Sequence, residues 1–193
     1  MVETDTHLLV QELITPADVV LELGGRYGST TCAVAVKQNN TGALIAVEPD
    51  PKVWAIHEFN KLAHNCASFS LFGVLGEKDL TVVENTGDTY APGFTYNTKT
   101  AADPLAKGVQ VGHFTWEKVE KVTGLKVDTV ILDCEGCWID FVRENLEKFR
   151  NVNKIILGKI VCSSQFRLRR LLLQSMTMMI RRRPWRDSDC WDL

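Results

Sequence analysis

One glycine-rich turn and four acidic side chains carry most of the chemistry this sequence offers. Glu22-Leu23-Gly24-Gly25-Arg26-Tyr27-Gly28 closes the apolar run Val19 to Leu23. Glycines at such a junction let the backbone approach a ligand closely, and the free amides of a following helix favour a carboxylate or phosphate. A dinucleotide-type GxGxxG beginning at Gly24 would need glycine where Arg26 and Ser29 stand, so a pyrophosphate cradle is disfavoured. What remains is an acid at a strand end with glycine two and six positions later. Glu22 adds negative charge beside the turn, which suits a cationic amine or sulfonium better than a diphosphate. Glu48, followed by Pro49, ends a second apolar run 20 residues beyond Gly28, where an acid can accept hydrogen bonds from both ribose hydroxyls. Asp133-Cys134-Glu135-Gly136 follows a third run, Val127 to Leu132. There Asp133 could orient an acceptor or an amine, and Glu135 could act as a base or hold a cation. The structural alternative is helix capping by Asp133 with Glu135 in the first turn.

These groups depend on the elements between them. A short amphipathic stretch from Thr6 to Ile14 precedes the first strand, Val19 to Leu23. Ser29 to Lys37 reads as a helix and Ala43 to Val47 as the second strand, completing a βαβ unit. Asp50-Pro51 is a helix start, an N-cap with proline at the first helical position, and Val53, Ile56, Phe59 and Ala63 continue it at helical spacing. A third strand is expected around Ser68 to Val74, a fourth at Val127 to Leu132 and a fifth at Lys154 to Leu157. A helix with Ile139, Val142, Leu146 and Phe149 on one face lies between the last two. From Glu84 to Gly112 the pattern fails: four Gly, two Pro, five Thr and two Asn predict a long irregular loop in which Tyr90, Phe94 and Tyr96 could cover an acceptor. Strands alternating with helices imply an α/β sandwich with a largely parallel sheet, its ligands beyond the carboxyl ends of the strands.

The 193 residues carry 24 acids and 22 bases, a net charge of −2, which gives no chain-wide reason to expect nucleic acid as a partner. The charge is divided unevenly. Residues 160–193 hold seven Arg, no Lys and three Asp, or +4, leaving −6 for residues 1–159. Within that tail Phe166 to Ile180 could form a basic amphipathic helix that docks on the sheet or contacts an anionic membrane surface. The acidic N-terminus and the lack of a long apolar run predict an intracellular, cytoplasmic protein. Six cysteines are too dilute for a disulfide scaffold and are expected reduced and mostly buried. Cys134 and Cys137 form one CxxC without a second, a weak signal for redox or metal chemistry. His57, His64 and His113 read as surface or packing residues, with His113 the best candidate for more because it closes the irregular stretch.

Taken together, the three elements resemble the FkbM-type family of S-adenosylmethionine-dependent methyltransferases over about Ala17 to Leu157. The first turn is similar to that family's acidic-x-Gly-x-x-x-Gly element. Glu48-Pro49-Asp50-Pro51, with Asn60 and Asn65 later, is similar to its Glu-Pro element, and Ile131-Leu132-Asp133-Cys134-Glu135-Gly136 to its strand-end Asp-x-Glu-Gly. The resemblance implies a doubly wound, Rossmann-like methyltransferase sandwich over residues 1–159, followed by the Arg-rich tail, 160–193. It further implies S-adenosyl-L-methionine held by Glu22, Gly24, Gly25, Gly28, Glu48, Pro49 and Asp133, with Asp133 and Glu135 as catalytic candidates. The expected reaction is methyl transfer to a small-molecule or glycan- or lipid-like acceptor, at a hydroxyl. Three departures stand out: Arg26 where Asn or Gly is usual, Trp138 in place of an acid, and Gly158-Lys159 where the fifth strand usually ends in an acid. The family's last edge strands are expected to be missing, since the tail offers one poor strand candidate, around Asp189 to Leu193. Competing readings are a catalytically inactive nucleoside-binding module of the same fold and an NAD(P)-dependent oxidoreductase. The sequence points to no particular oligomeric state.

Overall fold

Short runs of consecutive apolar residues can be buried on both sides at once, which a parallel sheet covered by helices requires. The computed structural model describes residues 4–84, 96–100, 107–134, 138–157 and 179–180. The chain begins with α1 (Thr4–Leu13), β1 (Val20–Leu23), α2 (Ser29–Lys37), β2 (Leu44–Glu48), α3 (Pro51–Ala63) and β3 (Phe69–Phe72). Five short strands follow: β4 (Val74–Leu75), β5 (Leu80–Glu84), β6 (Tyr96–Thr100), β7 (Val109–Val111) and β8 (His113–Phe114). The remaining elements are α4 (Trp116–Thr123), β9 (Thr129–Leu132), α5 (Trp138–Glu144), α6 (Leu146–Phe149), β10 (Lys154–Leu157) and β11 (Met179–Ile180).

The main sheet has the order β11-β10-β9-β1-β2-β3, and its neighbours are all parallel. Leu23 stands opposite both Val47 and Leu132, so β1, β2 and β9 end level with one another. Alternation along the strands builds two cores. Leu21, Leu23, Ile45, Val47, Val130, Leu132 and Ile155 pack against Trp116 and Val119 of α4, Phe141 of α5 and Phe149 of α6. The intervening residues Val20, Leu44, Ile131 and Ile156 pack against Val10 of α1 and Val34 and Ala35 of α2. The result is a mixed α/β structure with a mainly parallel sheet flanked by helices, compatible with a Rossmann-like fold.

At the amino edge of the sheet Lys154 joins distant segments. Its ammonium donates to both carboxylate oxygens of Asp18, at 2.8 and 2.6 Å, and to the carbonyl of Leu13 at 3.0 Å. Gln38 donates to the carbonyls of Asp18 and Ala43, so the loops entering β1 and β2 are tied together.

Several expectations need correction. The stretch from Glu84 to Gly112 is not wholly irregular, because β6 and β7 both pair antiparallel with β5. Tyr96 therefore opens a strand, while Tyr90 and Phe94 lie outside the described residues. The single helix expected after β9 is interrupted at Asn145, whose side chain donates to the carbonyl of Phe141 at 2.9 Å and separates α5 from α6. Met179 and Ile180, expected in a tail helix, form a two-residue strand beside Lys154 and Ile155. The arginines of the tail, Gly158-Lys159 and Asp189 to Leu193 lie outside the described residues. The cysteines among the described residues are not reduced: Cys32 and Cys66 are disulfide-bonded with their Cα atoms 5.2 Å apart, and Cys134 is also disulfide-bonded. Packing of α2 against α3 creates the first of these contacts between residues far apart in sequence. Among the described residues no helix is long and apolar enough to cross a membrane.

Phe141 is 1% exposed, stacks parallel to Trp116 with centroids 5.7 Å apart, and meets Phe149 edge-on. Phe141→Ala is expected to lower unfolding free energy by about 3–5 kcal/mol, as large aromatic truncations in a core do. Urea unfolding of the variant and the parent checks this.

Candidate functional site

Beyond β1 the chain first builds the sheet outward through β2 and β3, then returns to add β9 and β10 on the other side. The strand order therefore reverses between β1 and β9, and in open parallel sheets ligands bind in the crevice beyond the carboxyl ends at such a reversal. The glycine turn and Asp133 lie at this reversal, packed against each other.

The turn is shaped from below and from both flanks. Gly24, at φ 92°, and Gly25 donate to the carbonyl of Val47 at 2.9 and 3.2 Å, while Asp133 donates to the carbonyl of Leu23 at 3.0 Å. A Cβ on Gly24 would collide with the carbonyl oxygen of Asp133 and stand 2.9 Å from its carbonyl carbon. Glycine is thus required here by conformation and by space together. Gly28, at φ 83°, is the N-cap of α2, and Arg26 between them is held at φ 40°. That left-handed conformation is unusual for a residue other than glycine and persists where surroundings fix it.

Three side chains from β2 and α3 supply the restraint. The Arg26 amide donates to Glu48 Oε2 at 2.7 Å, and Glu48 Oε1 accepts from the amide of Asp50 at 2.7 Å. His57 Nδ1 lies 3.1 Å from the carbonyl of Arg26, and Asn60 donates to the carbonyl of Tyr27 at 2.8 Å. A carbonyl only accepts, so Nδ1 of His57 carries the proton. The ring also fills the space beside the turn, since a Cβ on Gly25 would sit 3.0 Å from His57 Cε1. His57 is 0% exposed, and desolvation by burial holds its pKa below 6.5. The Arg26 guanidinium lies over the Tyr27 ring, 5.2 Å from the centroid.

The acids differ in accessibility. Glu22 is fully buried, its Oε2 accepting from the Thr31 hydroxyl at 2.6 Å. Glu48 is 1% exposed, and Pro49 beside it is buried. Asp133 is half-buried, and its Oδ2 accepts from the Thr6 hydroxyl of α1 at 3.3 Å. The structure thus brings Glu22, Gly24, Gly25, Gly28, Glu48, Pro49 and Asp133 to one edge of the sheet. Glu135 lies outside the described residues, as do Gly136 and Cys137.

No protein-family model matches the chain, and no curated protein matches it. The site accordingly rests on its own geometry. Glu22 and Glu48 are buried and bonded within the chain, which leaves Asp133 as the half-buried acid among those described at this edge. His57, read as a surface or packing residue, is a packing residue whose ring meets the glycine turn; its spacing from Val53 and Asn60 puts it on α3 without indicating that contact. His113 sits elsewhere, on β8, with Nδ1 2.7 Å from Asp79 Oδ1. That bond holds the Asp79 carboxyl below its usual range.

Two outcomes follow from this geometry. Gly24→Ala should destabilise the fold by clearly more than Gly42→Ala. Both sites have positive φ, costing about 1–2 kcal/mol for a residue with Cβ, but a Cβ at Gly42 would meet no atom within 4 Å, whereas one at Gly24 meets Asp133. Urea midpoints of the two variants give the comparison. For His57 the folded pKa lies below the unfolded value of 6.5, so the unfolded chain binds the proton more readily. The stability it contributes is present above 6.5 and is lost as pH falls below that value. The urea midpoint should drop between about pH 7.5 and about pH 5.5, and His57→Asn should reduce the drop, a window chosen above the ordinary carboxylate range.

Proposed function

We propose that the crevice between β1 and β9 binds S-adenosyl-L-methionine and that the chain is a methyltransferase acting on an acceptor hydroxyl. One observation carries this reading: the glycine turn, Glu22, Glu48 and Asp133, drawn from three separate βα junctions, converge at the reversal of strand order. The finer fold assignment, a doubly wound methyltransferase sandwich of the FkbM type, rests on the same convergence and on the three sequence elements.

When bound, the sulfonium supplies an electrophilic methyl group. The chain's part is to hold and orient. Asp133, half-buried at the mouth of β9, is suited to receive a cationic amine, and Glu48 to receive ribose hydroxyls beside its backbone donors. Methyl transfer is an in-line displacement, so alignment of the acceptor and removal of its proton are the remaining tasks. Glu135 is the candidate for the second, by its place after Asp133 in the sequence.

A second reading is a nucleoside-binding module of the same fold without activity, suggested by Trp138 standing in place of the acid that the methyltransferase family commonly carries there. An NAD(P)-dependent oxidoreductase would use the same crevice but is disfavoured by Arg26 in the turn.

Calorimetric titration with S-adenosylhomocysteine, NAD and NADP separates the three. Binding of the first alone, with methyl transfer to a hydroxyl acceptor, is the expected result; binding without transfer to any acceptor would favour the module. Asp133→Asn should weaken S-adenosylhomocysteine binding roughly tenfold or more, since hydrogen bonds to charged groups contribute about 1.5–3 kcal/mol. Unchanged affinity in that variant would remove Asp133 from the site.

A further inference from the structure

Cys32, Cys66 and Cys134 are all oxidised, and no cysteine among the described residues is free. Two of them link helices that adjoin the glycine turn. Cys32 lies in the first turn of α2, and its own amide donates to the carbonyl of Gly28 at 2.9 Å. Cys66 follows the end of α3, its amide donating to the carbonyl of Lys61 at 2.8 Å. The Cys32–Cys66 bond therefore joins the helix that begins at the glycine turn to the helix whose His57 and Asn60 hold that turn. Asn40 fixes the backbone on both sides of Cys66, donating to the Asn65 carbonyl at 2.6 Å and accepting from the Ala67 amide at 3.1 Å. With Cys66 anchored in this way, the disulfide carries its restraint to Cys32 and so to Gly28. Cys134 adjoins Asp133 in the chain.

We propose that the Cys32–Cys66 disulfide is a redox-sensitive brace on the glycine turn, formed in an oxidising compartment and released by thiol–disulfide exchange with a dithiol reductant. The compartment differs from the cytoplasm expected from the sequence, where such bonds are rarely kept. In the exchange a thiolate of the reductant attacks one sulfur of the pair, the S–S bond breaks and the other cysteine leaves as a thiolate. The second thiol of the reductant then displaces the mixed disulfide and closes its own. Two electrons pass to the protein, and the two protons of the reductant's thiols end on Cys32 and Cys66. Cys32 is half-buried and Cys66 is 5% exposed, so Cys32 is the more exposed residue of the pair. Reduction leaves the Asn40 bonds to the Cys66 segment in place and removes the tie to α2, loosening the turn while the sheet persists.

The experiment uses the full chain and reads the turn without any ligand, so failure of S-adenosylhomocysteine to bind would not affect its outcome. Native protein is treated with iodoacetamide in the absence of reductant, digested and mapped by mass spectrometry. The expected product is a linked Cys32–Cys66 peptide; alkylation of both residues without prior reduction would overturn the proposal. Hydrogen exchange is then followed across residues 24–31 before and after dithiothreitol, and in Cys32→Ser/Cys66→Ser. Exchange in that segment should rise several-fold in both cases while β2 stays protected. Reduction of the folded wild type keeps the test decisive if the double variant does not fold. Unchanged exchange across residues 24–31 with the bond shown to be broken would overturn the brace.

Discussion

A carboxylate almost completely removed from water holds two turns of this protein in register. Burying such a group is costly unless its oxygens are well paired. Glu48 meets that condition by accepting the amide of Arg26 from the first βα junction and the amide of Asp50 from the second. Its backbone carbonyl is used as well, accepting from the Trp54 indole at 2.9 Å and from the Gly73 amide at 3.0 Å. Residues from the glycine turn, α3 and the exit of β3 thus gather on one residue. The left-handed conformation of Arg26 follows from this arrangement, with His57 and Asn60 holding the next two carbonyls.

Much of this scaffold is legible because its signals are local. Ser29–Lys37 and Lys154–Leu157 begin and end where composition places them. Asp50 caps α3 as expected, accepting the Lys52 amide at 3.0 Å with Pro51 at the first helical position. Helix α4 escapes the reading of the sequence although its boundaries are written there. Thr115 accepts the Lys118 amide at its start, and Gly124 closes it in the left-handed conformation. The polar stretch Tyr96–Thr100 shows no alternation of apolar residues, and it is a strand because β5 offers it a partner.

The site is legible in its members but not in their relations. An acid at the end of an apolar run announces a strand end, so Glu22, Glu48 and Asp133 can be found by inspection. Nothing in the sequence says that Glu48 is occupied by backbone amides, because that depends on how closely α3 packs beneath the turn. The disulfide is hidden for the same reason. Cys32 and Cys66 each sit among apolar residues, where a thiol passes for a small hydrophobe, and only the neighbouring of α2 and α3 pairs them.

Helix α1 touches both ends of the sheet. Near its start Thr6 donates to Asp133 at the carboxyl edge, and at its end Leu13 receives the ammonium of Lys154 at the amino edge. The eight residues from Thr6 to Leu13 measure about 12 Å, close to the span of about 13 Å for a four-residue strand, so the helix matches the height of the sheet. The hydroxyl that meets Asp133 and the carbonyl that meets Lys154 thus belong to one helix that spans the sheet from edge to edge.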